Sequence, residues 1–312
     1  MPGGEGPQRG DPAVGLPVCP GCRGGLREDG VAWVCTACAA RWPVRDGFPR
    51  LLVESEVRGN DRVLRPFYEY LAPLHDPAVK YTLPLFGSGT EGSFRRAFLP
   101  RLELGGSTAP LRILEVGIGT GANLPLVYAA AGRPVEVWGI DLAAGMLRLC
   151  RKRLAGGAHD ERLHGATAPP PSPGGARTEG REHAPTGRGP VYLAVADAHA
   201  LPFPDASFDR VFHVGATNSF RDPRRALAEM ARVARPGTPI VVVDERLDPH
   251  RRHSLLHRAI FRAICFYDPF PRPPTDFLPA GAWDVDDAQI ARFLYCMRFR
   301  VGRAGSGPSS PG

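Results

Sequence analysis

Residues 111–123, LRILEVGIGTGAN, decide the fold of this chain. The segment passes from a short apolar run into a turn that holds Gly117, Gly119 and Gly121. Glycines in such a turn bring backbone N–H groups close to a ligand at the N-terminus of the next helix. The sequence therefore predicts a strand, a ligand-binding turn and a helix, in that order.

Four more apolar runs follow, and helical patterns separate most of them. They are VEVWGID (135–141), VYLAVAD (191–197), FDRVFHVG (208–215) and TPIVVVDE (238–245). Strands that alternate with helices predict an α/β fold, a Rossmann-like parallel sheet with helices on both faces. The alternating apolar positions of residues 288–302, AQIARFLYCMRFRVG, predict one final strand in that sheet.

Composition divides the 312 residues into segments. The 37 Gly and 34 Pro exceed ordinary usage and concentrate in stretches with little to bury. We predict disordered tails at 1–16 and 305–312, a cysteine-rich module at 17–54, a helical lid or linker at 55–108 and the α/β domain at 109–304. Residues 156–190 hold 14 Gly or Pro in 35 positions and predict a disordered insertion within that domain.

The net charge of +7 is almost entirely arginine, with only two lysines in the chain. Residues 221–262 contribute ten Arg against five acids, which could steer an anionic partner but is more typical of a solvated face. The sequence has no apolar stretch of about 20 residues and no secretory signal at its start. We therefore expect a cytoplasmic protein without stable membrane insertion.

Four cysteines, Cys19, Cys22, Cys35 and Cys38, form two Cys-x2-Cys pairs separated by twelve residues. Two such pairs place four thiolates around one tetrahedral Zn²⁺, and a closed four-sulfur site is structural. Two disulfides are the alternative, which a reducing compartment disfavours. The remaining Cys150, Cys265 and Cys296 lie in apolar contexts and predict buried thiols.

The cysteine-rich module resembles the Trm112-like zinc ribbon family. The tail of that family's ribbon is matched position by position by Trp42, Pro43, Val44, Arg45, Asp46, Gly47, Phe48, Pro49, Leu51 and Leu52. Members of the family act as partners or fused companions of methyltransferases. The resemblance therefore implies a methyltransferase elsewhere in the chain.

The glycine turn alone leaves two ligand classes open. Gly117-x-Gly119-x-x-Ala122, with Asp141 at the end of the next strand, also satisfies the pattern of nicotinamide and flavin enzymes. However, Glu115 precedes the turn, where a carboxylate would repel a pyrophosphate and attract a cationic amino acid group. Asp197 ends the third strand and offers a second acid at the same sheet edge.

Residues 110–246 closely resemble class I S-adenosylmethionine (SAM) dependent methyltransferases of the methyltransferase 11 branch, which includes ubiquinone and menaquinone methyltransferases. The resemblance implies that Glu115, Gly117, Gly119 and Gly121 hold the methionine part of SAM, that Asp141 accepts the ribose hydroxyls and that Leu142 and Met146 pack near the adenine. It places Asp197 and Ala198 near the adenine amino group, His213 and Val214 beneath the sulfonium, and Tyr68 in a lid with His75 nearby. Thr217-Asn218-Ser219 replaces a Leu-His-His segment that is common in the family.

Methyl transfer from a sulfonium mainly requires alignment of the acceptor, and a dedicated base is optional. We predict His213 as the candidate base, Asn218 as an orienting amide and Asp244 as a further acid near the site. Each could instead be a hydrogen-bonded residue at a strand end. The aromatic and apolar lid residues Phe67, Tyr70, Leu83, Phe86 and Phe94 predict a partly apolar or aromatic acceptor.

His253 and His257 lie one turn apart in HSLLHRAIFRAICFYD. We interpret this segment as an amphipathic lid or cap helix. A metal site formed by the two histidines and contact with a membrane surface are the alternatives.

The motifs narrow the activity by what they lack. No Asn/Asp-Pro-Pro-Tyr follows the fourth strand and no Pro-Cys nucleophile is present. We therefore expect methylation of a small-molecule acceptor at O, N or C, with Zn²⁺ in a structural role. An rRNA guanine-N1-type methyltransferase that docks RNA through its ribbon is the first alternative, and a non-catalytic partner module on a SAM fold is the second.

Overall fold

A computed structural model describes residues 17–85, 91–106, 108–156, 188–215 and 217–302. The predicted tails and most of the predicted insertion lie outside these residues. The predicted insertion was too long at its C-terminal end, because residues 188–190 belong to a strand of the sheet.

Five parallel strands form the centre of the sheet, as predicted. They are β5 (Leu111–Val116), β6 (Val135–Asp141), β7 (Arg188–Ala196), β8 (Arg210–Val214) and β9 (Ile240–Glu245). Their spatial order is β7-β6-β5-β8-β9, so the strand order reverses at β5. Ligands of open α/β sheets bind in the crevice at such a reversal, which is where the glycine turn lies.

The C-terminal segment forms a hairpin instead of the single predicted strand. Strands β10 (Trp283–Ala291) and β11 (Leu294–Arg300) pair antiparallel, and β11 also pairs antiparallel with β9. A turn at Arg292 and Phe293 interrupts the alternating pattern. The prediction failed because apolar alternation continues across the turn.

The cysteine-rich module contributes four short antiparallel strands: β1 (Leu26–Glu28), β2 (Ala32–Cys35), β3 (Arg41–Arg45) and β4 (Phe48–Leu51). Strand β4 then pairs in parallel with β7 through Arg50–Val195 and Leu51–Ala196. The module therefore extends the large sheet at the β7 edge. The small size of the module gave no indication of this pairing.

Three helices connect the module to β5: α1 (Gly59–Tyr70), α2 (Ala72–Leu85) and α3 (Glu91–Phe98). Pro66 lies inside α1, and the chain leaves helical geometry at Leu71 before α2 begins. The helices agree with the helical segment predicted for residues 55–108. Their inward residues include Leu64 and Phe94, which are buried.

Helices cover both faces of the sheet. On one face α4 (Leu124–Ala131) and α5 (Ala144–Gly156) pack on alternate strand residues, and on the other α6 (Pro223–Val233) packs on the remaining ones. Helix α7 (Leu255–Ile264) follows β9 in the chain and packs in a small apolar cluster around Phe261. Among the described residues no helix is both long and apolar enough to span a bilayer.

Candidate functional site

A cleft of about 320 Å³ opens at the carboxyl ends of strands β5 to β9. Helices α1 to α3 wall it on one side, and α7 contributes Ile264. Nearly all predicted cofactor residues line it: Tyr68, Glu115, Gly117, Gly119, Asp141, Leu142, Met146, Asp197, Ala198 and His213. The exception is Gly121. Most of the predicted set is therefore brought together at one place.

Two glycines of the turn are required for different reasons. Gly117 has φ +68°, and a Cβ there would lie 3.1 Å from Cε1 of His213. Gly121 has φ +71°, and a Cβ there would lie 2.6 Å from Sγ of Cys150. Gly117 thus keeps the cleft floor open above His213, whereas Gly121 lets the turn pack on α5.

Glu115 is a buried acid with an unused oxygen. Its Oε1 accepts a hydrogen bond from Nδ2 of Asn123 at 2.5 Å, while Oε2 has no partner among the described residues. Burial raises the pKa of Glu115 to about 8, although Asn123 and Arg95 act to lower it. A buried polar atom without a partner is costly, so the arrangement fits a cationic ligand group that binds there.

Asp141 ties the end of β6 to the glycine turn. Its carboxylate accepts backbone hydrogen bonds from Gly119 at 3.0 Å and from Ala143 at 2.9 Å. Desolvation nevertheless raises the pKa of Asp141 to about 6. The acid is held at the position where the resemblance places the ribose hydroxyls, and it lines the cleft.

Asp197 lines the cleft, and its carboxylate is also engaged by other side chains of the chain. It accepts from Nδ1 of His199 at 2.7 Å and from Nη2 of Arg221 at 2.6 Å. Arg221 also forms an ion pair with Asp61 of α1, so one guanidinium joins the lid to the end of β7. Burial raises the pKa of Asp197, but the hydrogen bonds from His199 and Arg221 outweigh it and hold that pKa well below its usual range.

Three of these side chains could in principle ligate a metal, because Asp61, Asp197 and His199 lie close together. Arg221 donates to both carboxylates and supplies the positive charge that they require. We therefore interpret the cluster as a buried ion-pair network.

His213 lies fully buried under Gly117. Its Nδ1 is 2.6 Å from the carbonyl oxygen of Val116, so Nδ1 donates to that oxygen. Burial lowers the pKa of His213 to about 4, and the imidazole is neutral at pH 7. Its predicted role as a base stays a prediction, and the geometry also provides a rigid, uncharged floor for the cleft.

Glu245 is one of the cleft residues that sequence reasoning missed. It ends β9, lines the cleft and accepts from Oη of Tyr267 at 2.9 Å. Nδ2 of Asn218 donates to the Glu245 carbonyl oxygen, also at 2.9 Å. Asp244, which was predicted instead, points away from the cleft and accepts from the backbone of Asn218 at 2.6 Å. Strand alternation gave the signal, because Glu245 shares a face with the cleft residue Val243.

The predicted lid residues divide into two groups. Phe94 and Tyr68 line the cleft, whereas Phe67 and Tyr70 are exposed on the outer side of α1. The sequence did not separate these two groups, because helical periodicity identifies an apolar face without saying what covers it. The side chain of Leu83 and all of Phe86 lie outside the described residues.

The four predicted cysteine ligands come together at the edge of the molecule. Their Sγ atoms all lie within 4.8 Å of one another, with Cys19–Cys38 at 3.8 Å and Cys22–Cys35 at 3.4 Å. A tetrahedron with Zn–S bonds of about 2.3 Å has edges of about 3.8 Å, so the spacing fits one zinc ion. All are free thiols, which contradicts the disulfide alternative.

The backbone around the cysteines also favours a thiolate. The N–H groups of Ala37 and Cys38 each donate to Sγ of Cys35 at 3.4 Å. As predicted, the other cysteines, Cys150, Cys265 and Cys296, are buried and unpaired.

His253 and His257 lie at the start of the cap helix, and each imidazole has a local partner. His257 completes a capping box with Ser254, where its Nδ1 lies 2.8 Å from Oγ. Nε2 of His253 lies 2.7 Å from the backbone oxygen of Asp248. The described residues bring no third ligand to the two imidazoles. The segment forms helix α7, and its role as a cap stays a prediction.

Comparisons with known proteins agree with this geometry. A family model described as a methyltransferase domain matches residues 114–242. The demethylmenaquinone methyltransferase of Thermus thermophilus is 31% identical over 197 residues, which cover 63% of this chain and 72% of that protein. The ubiquinone/menaquinone biosynthesis C-methyltransferase of Bordetella avium is 33% identical over 134 residues, which cover 43% of this chain and only 41% of that protein.

A solved structure shares the fold. Phosphoethanolamine N-methyltransferase 2 of Haemonchus contortus, in complex with S-adenosyl-L-methionine, has a TM-score of 0.51 and 14% identity, covering 82% of this chain and 62% of that chain. The 31% identity to the Thermus thermophilus methyltransferase, over 72% of that protein, defines the class of this chain. The chain belongs to the class I SAM-dependent methyltransferases. The dinucleotide interpretation of the turn is thereby set aside.

Proposed function

We propose that the chain transfers the methyl group of SAM to a small-molecule acceptor with a partly apolar body. The observation that carries this proposal is the unpartnered Oε2 of Glu115 beside the glycine turn. A primary ammonium such as that of the methionine moiety would satisfy this oxygen and favour the ionised carboxylate. The sulfonium itself supplies an activated methyl group when SAM is bound.

In this proposal the chain mainly positions the reactants. Asp141 accepts hydrogen bonds from the ribose hydroxyls. Its carboxylate is held in place by backbone N–H donors from Gly119 and Ala143. His213 stays neutral and adds no positive charge beneath the sulfonium. Good alignment of reactants can contribute roughly 7–11 kcal/mol in the best intramolecular cases, so a dedicated base is optional.

The acceptor would occupy the part of the cleft between α7 and β9. Ile264, Phe293 and Leu294 line this part with apolar surface. Glu245 and Tyr267 supply the polar groups there, so we propose that Glu245 accepts a hydrogen bond from an acceptor hydroxyl or amine. A quinol-type aromatic acceptor fits this combination, and the name of the Thermus thermophilus relative supports that class.

Calorimetric titration with SAM, S-adenosylhomocysteine and NADH tests the proposal. We expect binding of both adenosyl ligands and none of NADH. Asp141→Ala should abolish SAM binding, while Glu136→Gln, which changes an acid at the opposite end of β6 that pairs with Arg112, should leave it unchanged. Unchanged SAM affinity in the Asp141 variant, or equal losses in both variants, would refute the site assignment.

We also propose that Cys19, Cys22, Cys35 and Cys38 bind one structural zinc ion in a reducing, cytoplasmic setting. Elemental analysis should return about one equivalent of zinc. Cys35→Ser should lose the metal, whereas Cys150→Ser, which changes a buried thiol outside the cluster, should retain it. A folded wild-type protein without metal would refute this part. Neither RNA methylation nor a non-catalytic partner role is favoured by a specific observation.

A further inference from the structure

The cap helix α7 exposes apolar side chains that none of the described residues covers. Leu255 is 86% exposed and Leu256 is 69% exposed, both in the first turn of the helix. Phe266 and Phe270 continue the exposed apolar surface just after it. The opposite face is used for packing, because Phe261 and Cys265 are buried against Phe293. Exposed apolar surface of this kind marks an interaction site.

Positive charge accompanies these side chains. Residues 249–263 contain four arginines and no acid. Arg252 and Arg258 are exposed and have no ion-pair partner in the part of the chain that the structure describes. An apolar helix face flanked by unpaired arginines complements an anionic surface.

A second wall of the cleft also exposes apolar side chains. Helix α1 lines the cleft through Leu64 and Tyr68 while it exposes Val63, Phe67 and Tyr70 on its outer side. Helix α7 lines the cleft through Ile264. We call the exposed residues on these two walls the apolar rim: Val63, Phe67, Tyr70, Leu255, Leu256, Phe266 and Phe270.

We propose that the apolar rim docks on an anionic lipid bilayer. Leucine and phenylalanine side chains enter the interface, and Arg252 and Arg258 contact the headgroups. A second copy of this chain fits less well, because it would bring the same unpaired arginines into opposition. The consequence for the reaction rests on the proposed function. Docking would let an apolar acceptor pass from the bilayer into the cleft without crossing water.

Vesicle co-sedimentation tests the docking. The wild-type chain should bind vesicles made of equal parts phosphatidylcholine and phosphatidylglycerol, and bind phosphatidylcholine vesicles much more weakly. Leu255→Ser/Leu256→Ser should weaken binding at least tenfold, because two leucines lose their burial. Arg252→Gln/Arg258→Gln should weaken binding to the anionic vesicles about fivefold for each arginine.

A matched control uses two exposed valines, one in the connection between β1 and β2 and one in the edge strand β10. Val31 is 70% exposed and Val285 is 45% exposed, and neither lies on the rim. Val31→Ser/Val285→Ser should leave vesicle binding unchanged. The proposal is overturned if wild-type protein ignores anionic vesicles, if the control loses as much binding as the leucine variant, or if sedimentation shows a dimer that the leucine variant abolishes.

The same preparations separate this proposal from the proposed function. SAM affinity measured by calorimetry should be equal in wild type and all three variants, since none of the changed residues lines the cleft. Vesicle binding without SAM binding would leave docking standing and refute the proposed function. SAM binding without vesicle binding would refute docking and leave the proposed function standing.

Discussion

The strand ends of β5 and β7 carry two buried acids that look alike in sequence and differ completely in structure. Glu115 has one oxygen without a partner, and its pKa is raised to about 8. Asp197 has both oxygens engaged by His199 and Arg221, and its pKa is held well below the usual range. The comparison teaches that burial alone does not identify a ligand group. Glu115, whose Oε2 has no partner among the described residues, is the acid that a ligand would complete.

The largest expected effect concerns the paired acid. Asp197→Ala leaves the Arg221 guanidinium buried beside a lost partner, so we expect a loss of about 3–5 kcal/mol in the free energy of unfolding. Urea unfolding measures this loss. Asp205→Ala, which removes a largely exposed partner of Arg232, is the control and should cost less than about 1 kcal/mol. Equal losses in the two variants would remove the distinction drawn here.

For Glu115 we expect the opposite effect: removing its charge should increase the free energy of unfolding. Because the pKa of Glu115 rises from its ordinary value of 4.5 to about 8, the folded chain binds more protons than the unfolded chain between those values. The stability that this group contributes is therefore lost as pH rises through that window.

Glu115→Gln removes this dependence, since glutamine keeps an oxygen for Asn123 and carries no charge. We expect the ligand-free variant to be more stable than wild type at pH 8 by on the order of 2–4 kcal/mol, with the difference shrinking toward pH 5. Thermal unfolding across pH measures it. A variant that is less stable than wild type at pH 8 would contradict the assignment.

A smaller effect is expected when the partner of Asp197 changes and its charge is retained. Arg221→Lys keeps the positive charge but cannot contact both Asp61 and Asp197 in the same fork geometry. We expect a loss of about 1–2 kcal/mol, between wild type and Asp197→Ala. Stability at the wild-type value would show that charge alone is enough in this network.

The sequence predicted much of the fold because the apolar runs and glycine turns are local signals. All five central strands and the glycine turn at the strand-order reversal are confirmed. The sequence did not predict pairing between distant segments, because nothing in Phe48–Leu51 indicates a parallel partner in β7. It also did not predict the turn at Arg292 and Phe293, because the apolar alternation continues across that turn.

The same limit applies to the site. Strand ends fix which residues reach the cleft, so Glu115 and Asp141 could be predicted. The partners of an acid come from elsewhere in the chain, so neither the ion pair of Asp197 with Arg221 nor the hydrogen bond from Tyr267 to Glu245 could be predicted from local sequence. Exposure of Phe67 and Tyr70 likewise depends on packing that periodicity does not describe.

One measurement tests the central claim about Glu115 most directly. SAM binding is titrated at pH 7 in buffers with different ionisation enthalpies, for wild type and Glu115→Gln. Glu115 is protonated below about pH 8 without ligand. Binding of a cationic group beside Glu115 should therefore release close to one proton from wild type and about none from the variant. Binding of SAM with no proton release, or with equal release from both proteins, would contradict the account.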